Sequence, residues 1–371
     1  MNKASVIGIG RLGLCFSLTL ERASYDVVGV DVNQDYVDLI NSKQLSSVEP
    51  NVEEYLQESK RFKATTDLQE AIDFSNLLFV VVATPSLENG RYDHSQVDEL
   101  AKSLIKLGPA KETKHLVICC TTMPGYCDTV QERLKDFNYI VSYNPEFIAQ
   151  GSILRDQLQP DMVLIGEGNK DAGMIIEKAY KDMTNNNPFI HKMNRTEAEL
   201  TKISLNCFLT TKIAFANMVG DIAIASGCSP QKILNAIGAD SRIGLKYLGY
   251  GFGYGGPCFP RDNRALAIYA SDKNIKALIS LASDESNKEH LKFQVEDFCK
   301  NAKSDLVSFD SVTYKPNTTI IEESQQLEYA AQIAKKGFTV VIKESKEVVN
   351  KLKQKFGNLF VYQEREFNSD E

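Results

Sequence analysis

The run Gly8-Ile9-Gly10-Arg11-Leu12-Gly13 limits what this chain can fold into more than any other stretch, because of what stands on either side of it. A short β-branched segment, Ala4 to Ile9, leads into it, and a helical pattern from Leu12 to Arg22 leaves it. A second strand, Asp26 to Val30, then ends at Asp31, 23 positions after Gly8. Three spaced glycines alone are a weak signal and also suit a structural turn that binds nothing. In this setting they carry a mechanism. The first makes the tight turn, the second lets backbone approach a pyrophosphate, and the third lets helix and strand pack closely. The helix start adds N–H groups and the positive end of a dipole. Asp31 would accept hydrogen bonds from a ribose 2′-hydroxyl and repel a 2′-phosphate. The expected cofactor is therefore NAD rather than NADP, held by Gly8, Gly10, Arg11, Leu12, Gly13 and Asp31.

Strand-like and helix-like segments keep alternating after this unit. Gln34 to Asn41 reads as helix, and Leu77 to Val82, Leu116 to Cys120 and Tyr139 to Ser142 are near-continuous apolar runs suited to parallel strands covered on both faces. The pattern predicts an α/β chain with an N-terminal Rossmann-type doubly wound domain over residues 1–193. Three polar turns marked by proline follow those strands: Thr84-Pro85, Thr121-Thr122-Met123-Pro124-Gly125 and Asn144-Pro145-Glu146-Phe147. In a doubly wound sheet the C-terminal strand ends face the ligand crevice, which places Thr84, Pro85 and Thr122 near the cofactor. Each turn taken singly is also an ordinary turn signal.

From Asn194 the texture changes. Asn194 with Glu197 three positions later suits a helix start, and neither Gly nor Pro interrupts the chain before Gly220. Apolar residues sit nearly all round this stretch, which predicts a long buried helix. Lys202, Asn206 and Thr210 share one face at i, i+4 and i+8, and such a stripe equally suits a helix–helix hydrogen-bond seam. Ser229 to Ile237 is a shorter helix. Asp240 to Asp262 is irregular and glycine-rich, with aromatic residues that argue against disorder, and helices continue to about Asn301. The segment 194–301 thus reads as a central helical and loop region. Residues 302–371 form a smaller C-terminal α/β domain, with strands at Leu306–Phe309, Thr339–Ile342 and Leu359–Tyr362 and helices at Glu328–Lys336 and Lys346–Lys355.

Composition mainly excludes. With 43% hydrophobic and 25% charged residues over 371 positions, disordered and coiled-coil classes are out. A net charge of −7 argues against a nucleic-acid partner. The N-terminal apolar run is too short for a membrane helix or an export signal, so no membrane association and a cytoplasmic setting are expected. Eight cysteines without a CxxC pair, and four scattered histidines, suggest reduced thiols and no metal site.

Taken together, the motifs resemble the UDP-glucose/GDP-mannose dehydrogenase family. They are the Gly8 to Gly13 run, Thr121-Thr122-Met123-Pro124, Asn144-Pro145-Glu146-Phe147, and Ala198-Glu199-Leu200-Thr201-Lys202 with Asn206. Asp240-Ser241-Arg242-Ile243-Gly244 and Gly253-Tyr254-Gly255-Gly256-Pro257-Cys258-Phe259-Pro260-Arg261-Asp262 complete the set. They occur in the family's order over roughly the first 270 residues. The resemblance implies oxidation of the C6 alcohol of a nucleotide sugar to a carboxylate, with two NAD used in turn and a cysteine carrying the intermediate. The catalytic set it implies is Cys258, Lys202, Asn206, Asp262, Glu146 and Thr122, with Arg261 near the cofactor. The substrate contacts it implies are Glu146, Phe147, Lys202, Asn206, Arg242, Tyr247, Gly255, Cys258 and Lys315. It favours the UDP-glucose branch, with GDP-mannose or a UDP-N-acetylhexosamine as alternatives, and a homodimer through the central helix.

The residues suit these roles chemically. A thiolate traps an aldehyde as a thiohemiacetal that can become a thioester, and Arg261 and Lys202 would favour the Cys258 thiolate. Lys202 and Asn206 would steady an alkoxide, Asp262 would hold the lysine or a water, and Glu146 would activate water while Thr122 positions it. The residues alone, without the resemblance, single out only Cys258, Lys202 and Glu146. Some positions depart from the family pattern. Gln150, Met162 and Arg261 replace its usual residues, and around Lys315-Pro316-Asn317-Thr318 the C-terminal unit carries Ile320 and Glu322 where Asp and Arg are usual. Two other readings stay open: a non-catalytic nucleotide-sugar-binding protein, and a β-hydroxyacid dehydrogenase that needs no Cys258.

Overall fold

The computed structural model describes residues 2–148, 151–315 and 318–365, so Gln150 and the Pro316-Asn317 pair lie outside the described residues. The chain divides into two compact units, residues 1–202 and 203–371. The first holds an eight-stranded sheet of β1 (Asn2–Ile7), β2 (Tyr25–Val30), β3 (Phe62–Thr65), β4 (Leu77–Val80), β5 (Lys114–Ile118), β6 (Tyr139–Tyr143), β7 (Met162–Glu167) and β8 (Phe189–Asn194). Their order across the sheet is 3-2-1-4-5-6-7-8. Strands β1 to β6 run parallel, whereas β7 pairs antiparallel with β6 at Tyr143 and Gly166, and β8 follows β7 in parallel. The sheet is thus parallel over its ligand-binding half and reversed at one edge.

Side-chain alternation explains why the central strands are apolar on both faces. Ala4 and Val6 of β1, with Leu77 and Phe79 of β4, join one core cluster. Ile7, with Leu78 and Val80, joins the cluster on the other face. Period-two alternation inside a sheet covered on both sides leaves no polar face. The order reverses direction between β1 and β4, and the crevice at the C-terminal ends of such neighbours is where α/β sheets take ligands.

The long helix runs Arg195–Ala225, through Gly220, and the boundary between the two units falls within it. It is not buried along its length as the sequence suggests. Phe208 is 66% exposed and Ile222 59%, with Phe215 and Met218 also exposed. Apolar residues all round a helix record the surface it has to cover, not whether its own chain covers it. Length and composition alone would also allow this helix to span a membrane, a test that core helices pass as well. In the second unit, however, buried Asn206 and Thr210 hydrogen-bond to Asp262 and Asn263 and tie one face into the fold.

The second unit also contains helices Pro230–Gly238, Phe259–Asp272 and Leu278–Asn301. It ends in a three-stranded parallel sheet, β9 (Leu306–Phe309), β10 (Thr339–Glu344) and β11 (Val361–Glu364), with β10 central. Its core joins Val340 and Ile342 of β10 to Leu327 and Ala330 of the Gln325–Lys335 helix and to Leu291 and Val295 of the Leu278–Asn301 helix.

Candidate active site

The glycine turn in the first unit is built to meet an anion. Gly8 has φ +89°, and a Cβ there would lie 2.5 Å from the Val81 carbonyl oxygen; a Cβ on Gly13 would lie 1.9 Å from the Gly8 oxygen. Both positions admit only glycine. Gly10 differs, since a Cβ there would meet nothing within 4 Å. It is the N-cap of the Arg11–Arg22 helix, no side chain caps that end, and its first turn holds no acidic residue. The first-turn N–H groups of this helix thus carry no side-chain cap and no neighbouring acid, the setting in which a helix start takes an anion. Asp31 follows β2 and accepts the Asn33 N–H at 3.0 Å through one carboxylate oxygen. A tight glycine turn, an uncapped helix start and an acid at the end of β2 fit the pyrophosphate and adenosine ribose of NAD.

The turns after β4, β5 and β6 line the same sheet edge. Buried Thr84 donates its hydroxyl to the Thr121 carbonyl at 2.8 Å, tying two of these turns together, while Pro85 beside it is exposed. Met123 N–H donates to His94 Nε2 at 3.2 Å. Burial lowers the His94 pKa to about 4, which keeps the ring neutral and that nitrogen able to accept. Thr122 is fully buried and donates its hydroxyl to Glu199 at 2.8 Å.

Glu146 stands in the turn after β6. The residue is half-buried, and desolvation raises its carboxyl pKa to about 7 against the lowering effects of a Tyr180 hydrogen bond and the Lys202 charge. Tyr180, on the Lys170–Met183 helix, donates to Glu146 Oε1 at 2.9 Å. Lys202 Nζ donates to the Glu146 backbone carbonyl at 2.6 Å and lies 4.3 Å from the centre of the Phe147 ring. The fold therefore gathers Glu146, Phe147 and Lys202 around one turn. A carboxyl with a pKa near neutrality suits a general base.

In the second unit Cys258 is exposed and is the N-cap residue of the Phe259–Asp272 helix, not a residue within a loop that continues to Asp262. The positive end of a helix dipole favours a thiolate there. Asp262, in the first turn of this helix, is 1% exposed and accepts from Asn206 Nδ2 at 2.6 Å, with Arg261 Nε at 3.3 Å from its other oxygen. The glycines before Cys258 are sterically fixed. A Cβ on Gly255 would lie 2.1 Å from the Glu323 carbonyl oxygen, and one on Gly256, at φ +78°, would lie 2.3 Å from the Tyr314 ring.

Tyr247 takes a left-handed φ of +62° and packs edge-on to Phe259. The Arg242 side chain is 87% exposed and forms a two-point contact with Asp240. Thr313 and Thr318 donate to the Lys315 carbonyl. Among the other cysteines, five are buried, Cys299 is half-buried and Cys228 is exposed. No cluster of three or more His, Cys, Asp or Glu side chains suited to a metal occurs among the described residues.

Sequence reasoning missed two groups. Tyr180 bonds the Glu146 carboxyl from a helix with no recognisable motif. Glu199 belongs to a quoted motif, but its partners are mostly backbone N–H groups, which leave no mark in a sequence.

This sheet order, the glycine turn and the acid at the end of β2 make the first unit a Rossmann-type dinucleotide-binding domain. Residues 2–184 match the NAD-binding domain and residues 196–289 the central domain of the UDP-glucose/GDP-mannose dehydrogenase family. A GDP-mannose 6-dehydrogenase of Pseudomonas savastanoi pv. phaseolicola is 30% identical over 92% of this chain and 81% of its own length. A UDP-glucose 6-dehydrogenase of Rickettsia bellii is 31% identical over 89% of this chain and 78% of its own. The solved structure of a UDP-glucose dehydrogenase from Pyrobaculum islandicum superimposes with a TM-score of 0.87 at 29% identity, covering 98% of this chain and 86% of that one. The chain belongs to the UDP-glucose/GDP-mannose dehydrogenase family of NAD-dependent nucleotide-sugar 6-dehydrogenases, and NAD is its cofactor.

Proposed function

We propose that the chain oxidises UDP-glucose to UDP-glucuronate in two successive oxidations on one cysteine. The observation that carries this reading is Cys258, exposed at the head of a helix whose first turn holds buried Asp262 bonded to Asn206. NAD, when bound, accepts one hydride at each oxidation. Lys202 and Asn206 steady the C6 oxygen as its proton passes to the water or lysine that Asp262 holds, and departure of the C6 hydride then leaves an aldehyde. The Cys258 thiolate adds to that carbonyl to form a thiohemiacetal, and the second oxidation leaves a thioester. Water activated by Glu146 and placed by Thr122 attacks the thioester carbonyl, the C–S bond breaks, and the thiolate and a carboxylate result. Arg261 serves the cofactor side, and Phe147, Tyr247, Gly255 and Lys315 serve the sugar nucleotide.

Support for UDP-glucose comes from the Asp240-Ser241-Arg242 run and from the likeness to the Pyrobaculum enzyme. GDP-mannose is the second reading, favoured by the name of the Pseudomonas relative. The exposed Phe208, Phe215, Met218 and Ile222 suit a homodimer packed along the long helix, with the exposed Arg242 exchanging its Asp240 contact for the other protomer's substrate. Measurement of NADH released per nucleotide sugar consumed tests the function. Two per UDP-glucose is expected, one would indicate a single oxidation, and none with retained binding would indicate a non-catalytic protein. A higher kcat/KM with GDP-mannose would move the substrate assignment.

A further inference from the structure

Glu199 is fully buried, and the chemistry described so far gives it no role. Its carboxylate takes three donors from one turn: the Thr122 hydroxyl at 2.8 Å, the Gly125 N–H at 2.6 Å and the Cys127 N–H at 2.9 Å. Gly125 is the N-cap of the Tyr126–Leu134 helix and has a left-handed φ of +92°. Glu199 thus supplies from a distant part of the chain the cap that this helix start lacks locally. One consequence concerns Thr122. A hydroxyl has one proton to give, and an ionised carboxylate can only accept. With its proton committed to Glu199, Thr122 offers only lone pairs to anything that approaches it.

We propose that Glu199 is a positioning residue that fixes Thr122 as an acceptor, so that Thr122 orients the attacking water by receiving one of its O–H groups. This rests on the function proposed above. Thr122 then gives no hydrogen bond to the developing oxyanion, which leaves that task to Lys202 and Asn206. The water's other proton faces the base, and its lone pair is left for the thioester.

Glu199→Gln is the discriminating variant. A carboxamide has one oxygen and one NH2 where two oxygens took three donors. In one rotamer the NH2 opposes the Gly125 N–H; in the other it opposes the Cys127 N–H and the Thr122 hydroxyl must also turn round and accept, so neither holds the turn as the carboxylate does. The full-length enzyme should lose at least tenfold in kcat while KM for UDP-glucose and NAD changes less than threefold. Rapid mixing should show a fast burst approaching two NADH per Cys258, followed by slow turnover, because both oxidations precede the impaired hydrolysis. Thr122→Val should give the same pattern, Thr122→Ser should keep most activity, and the Thr122→Val/Glu199→Gln double variant should be no slower than the slower single variant. Multiplying losses in the double variant, or a lowered melting temperature with a wild-type burst and kcat, would overturn the proposal. A wild-type chain that releases no NADH from any nucleotide sugar would overturn the proposed function and this inference with it. Normal wild-type turnover with multiplying losses would overturn the inference alone.

Discussion

Two helices of the first unit start from the same edge of the sheet, one after β1 and one after β5, and their first turns are treated in opposite ways. The Arg11–Arg22 helix begins at Gly10 with no side-chain cap and no acid in its first turn. The Tyr126–Leu134 helix carries an acid, Asp128, in its first turn, and Glu199 reaches in to bind the N–H groups of Gly125 and Cys127. Both ends present the same dipole and the same kind of first-turn N–H donors. Which of them meets a ligand's phosphate is settled by whether the protein has already supplied the negative charge. The Phe259–Asp272 helix of the second unit follows the first pattern at its cap, where a thiol stands in place of a carboxylate.

The largest effect tests that third helix start. Cys258→Ala should reduce steady turnover on the order of 10⁴-fold or more, since no other group there can carry an acyl intermediate. Unchanged NADH production in a coupled assay would remove the cysteine from the chemistry.

Gly10→Asp tests the contrast most directly, because it gives the open helix start a charge of its own. The side chain has room. An N-cap Asp should leave the melting temperature unchanged or raise it slightly. NAD affinity measured by calorimetry should nevertheless fall on the order of 100-fold or more, through repulsion of the pyrophosphate. Normal NAD binding in this variant would show that the two starts do not differ as described.

The turn after β6 extends the comparison to a carboxyl that is desolvated without a helix end to hold its charge. Glu199 takes two backbone N–H groups, whereas Glu146 has Tyr180 on its carboxyl and Lys202 on its carbonyl. With its pKa raised to about 7, Glu146 is protonated below that pH and ionised above it. The hydrolytic step should therefore slow as pH falls through about 7, and Glu146→Gln should lose about 100-fold in kcat together with that limb of the profile. Stability carries the opposite sign. Holding the desolvated carboxylate ionised costs the folded state increasingly as pH rises from about 4.5 to about 7, so the variant should gain stability over wild type across that range and keep the gain above it. Equal denaturation midpoints at pH 5 and pH 8 for both proteins would contradict this. The smallest effect falls on the ribose. Asp31→Asn should raise the NAD KM about tenfold and narrow the preference over NADP, read by comparing kcat/KM for the two cofactors.

The site was legible in sequence where local backbone demands a residue type. Gly8 is fixed by its own left-handed φ and Gly13 by the Gly8 carbonyl five residues earlier, so their spacing announces the turn, although the Val81 carbonyl that also crowds Gly8 leaves no local mark, and the strands on either side differ from expectation by only one or two positions. The reversal of β7 was not legible, because an apolar run carries no direction. Nor was the exposure of Phe208 and Phe215. Glu199 escaped for another reason: it acts on backbone groups more than seventy residues away, and one buried acid in a helix looks like any other polar position. Cys258 as a helix cap was half visible, since Pro260 and Asp262 are first-turn residues, but the glycine run before it drew the reading toward a loop.

The exposure of Cys258 also decides how the protein ages. A thiolate that meets substrate carbonyls meets peroxide and alkylating reagents as readily, and each step up the oxidation ladder from sulfenic acid ends further from repair. Five cysteines are shielded by burial, and exposed Cys228, which precedes the N-cap Ser229 of the Pro230–Gly238 helix and is not itself a cap, offers an internal reference. Bound nucleotide sugar should protect Cys258 from modification and leave Cys228 reacting as before.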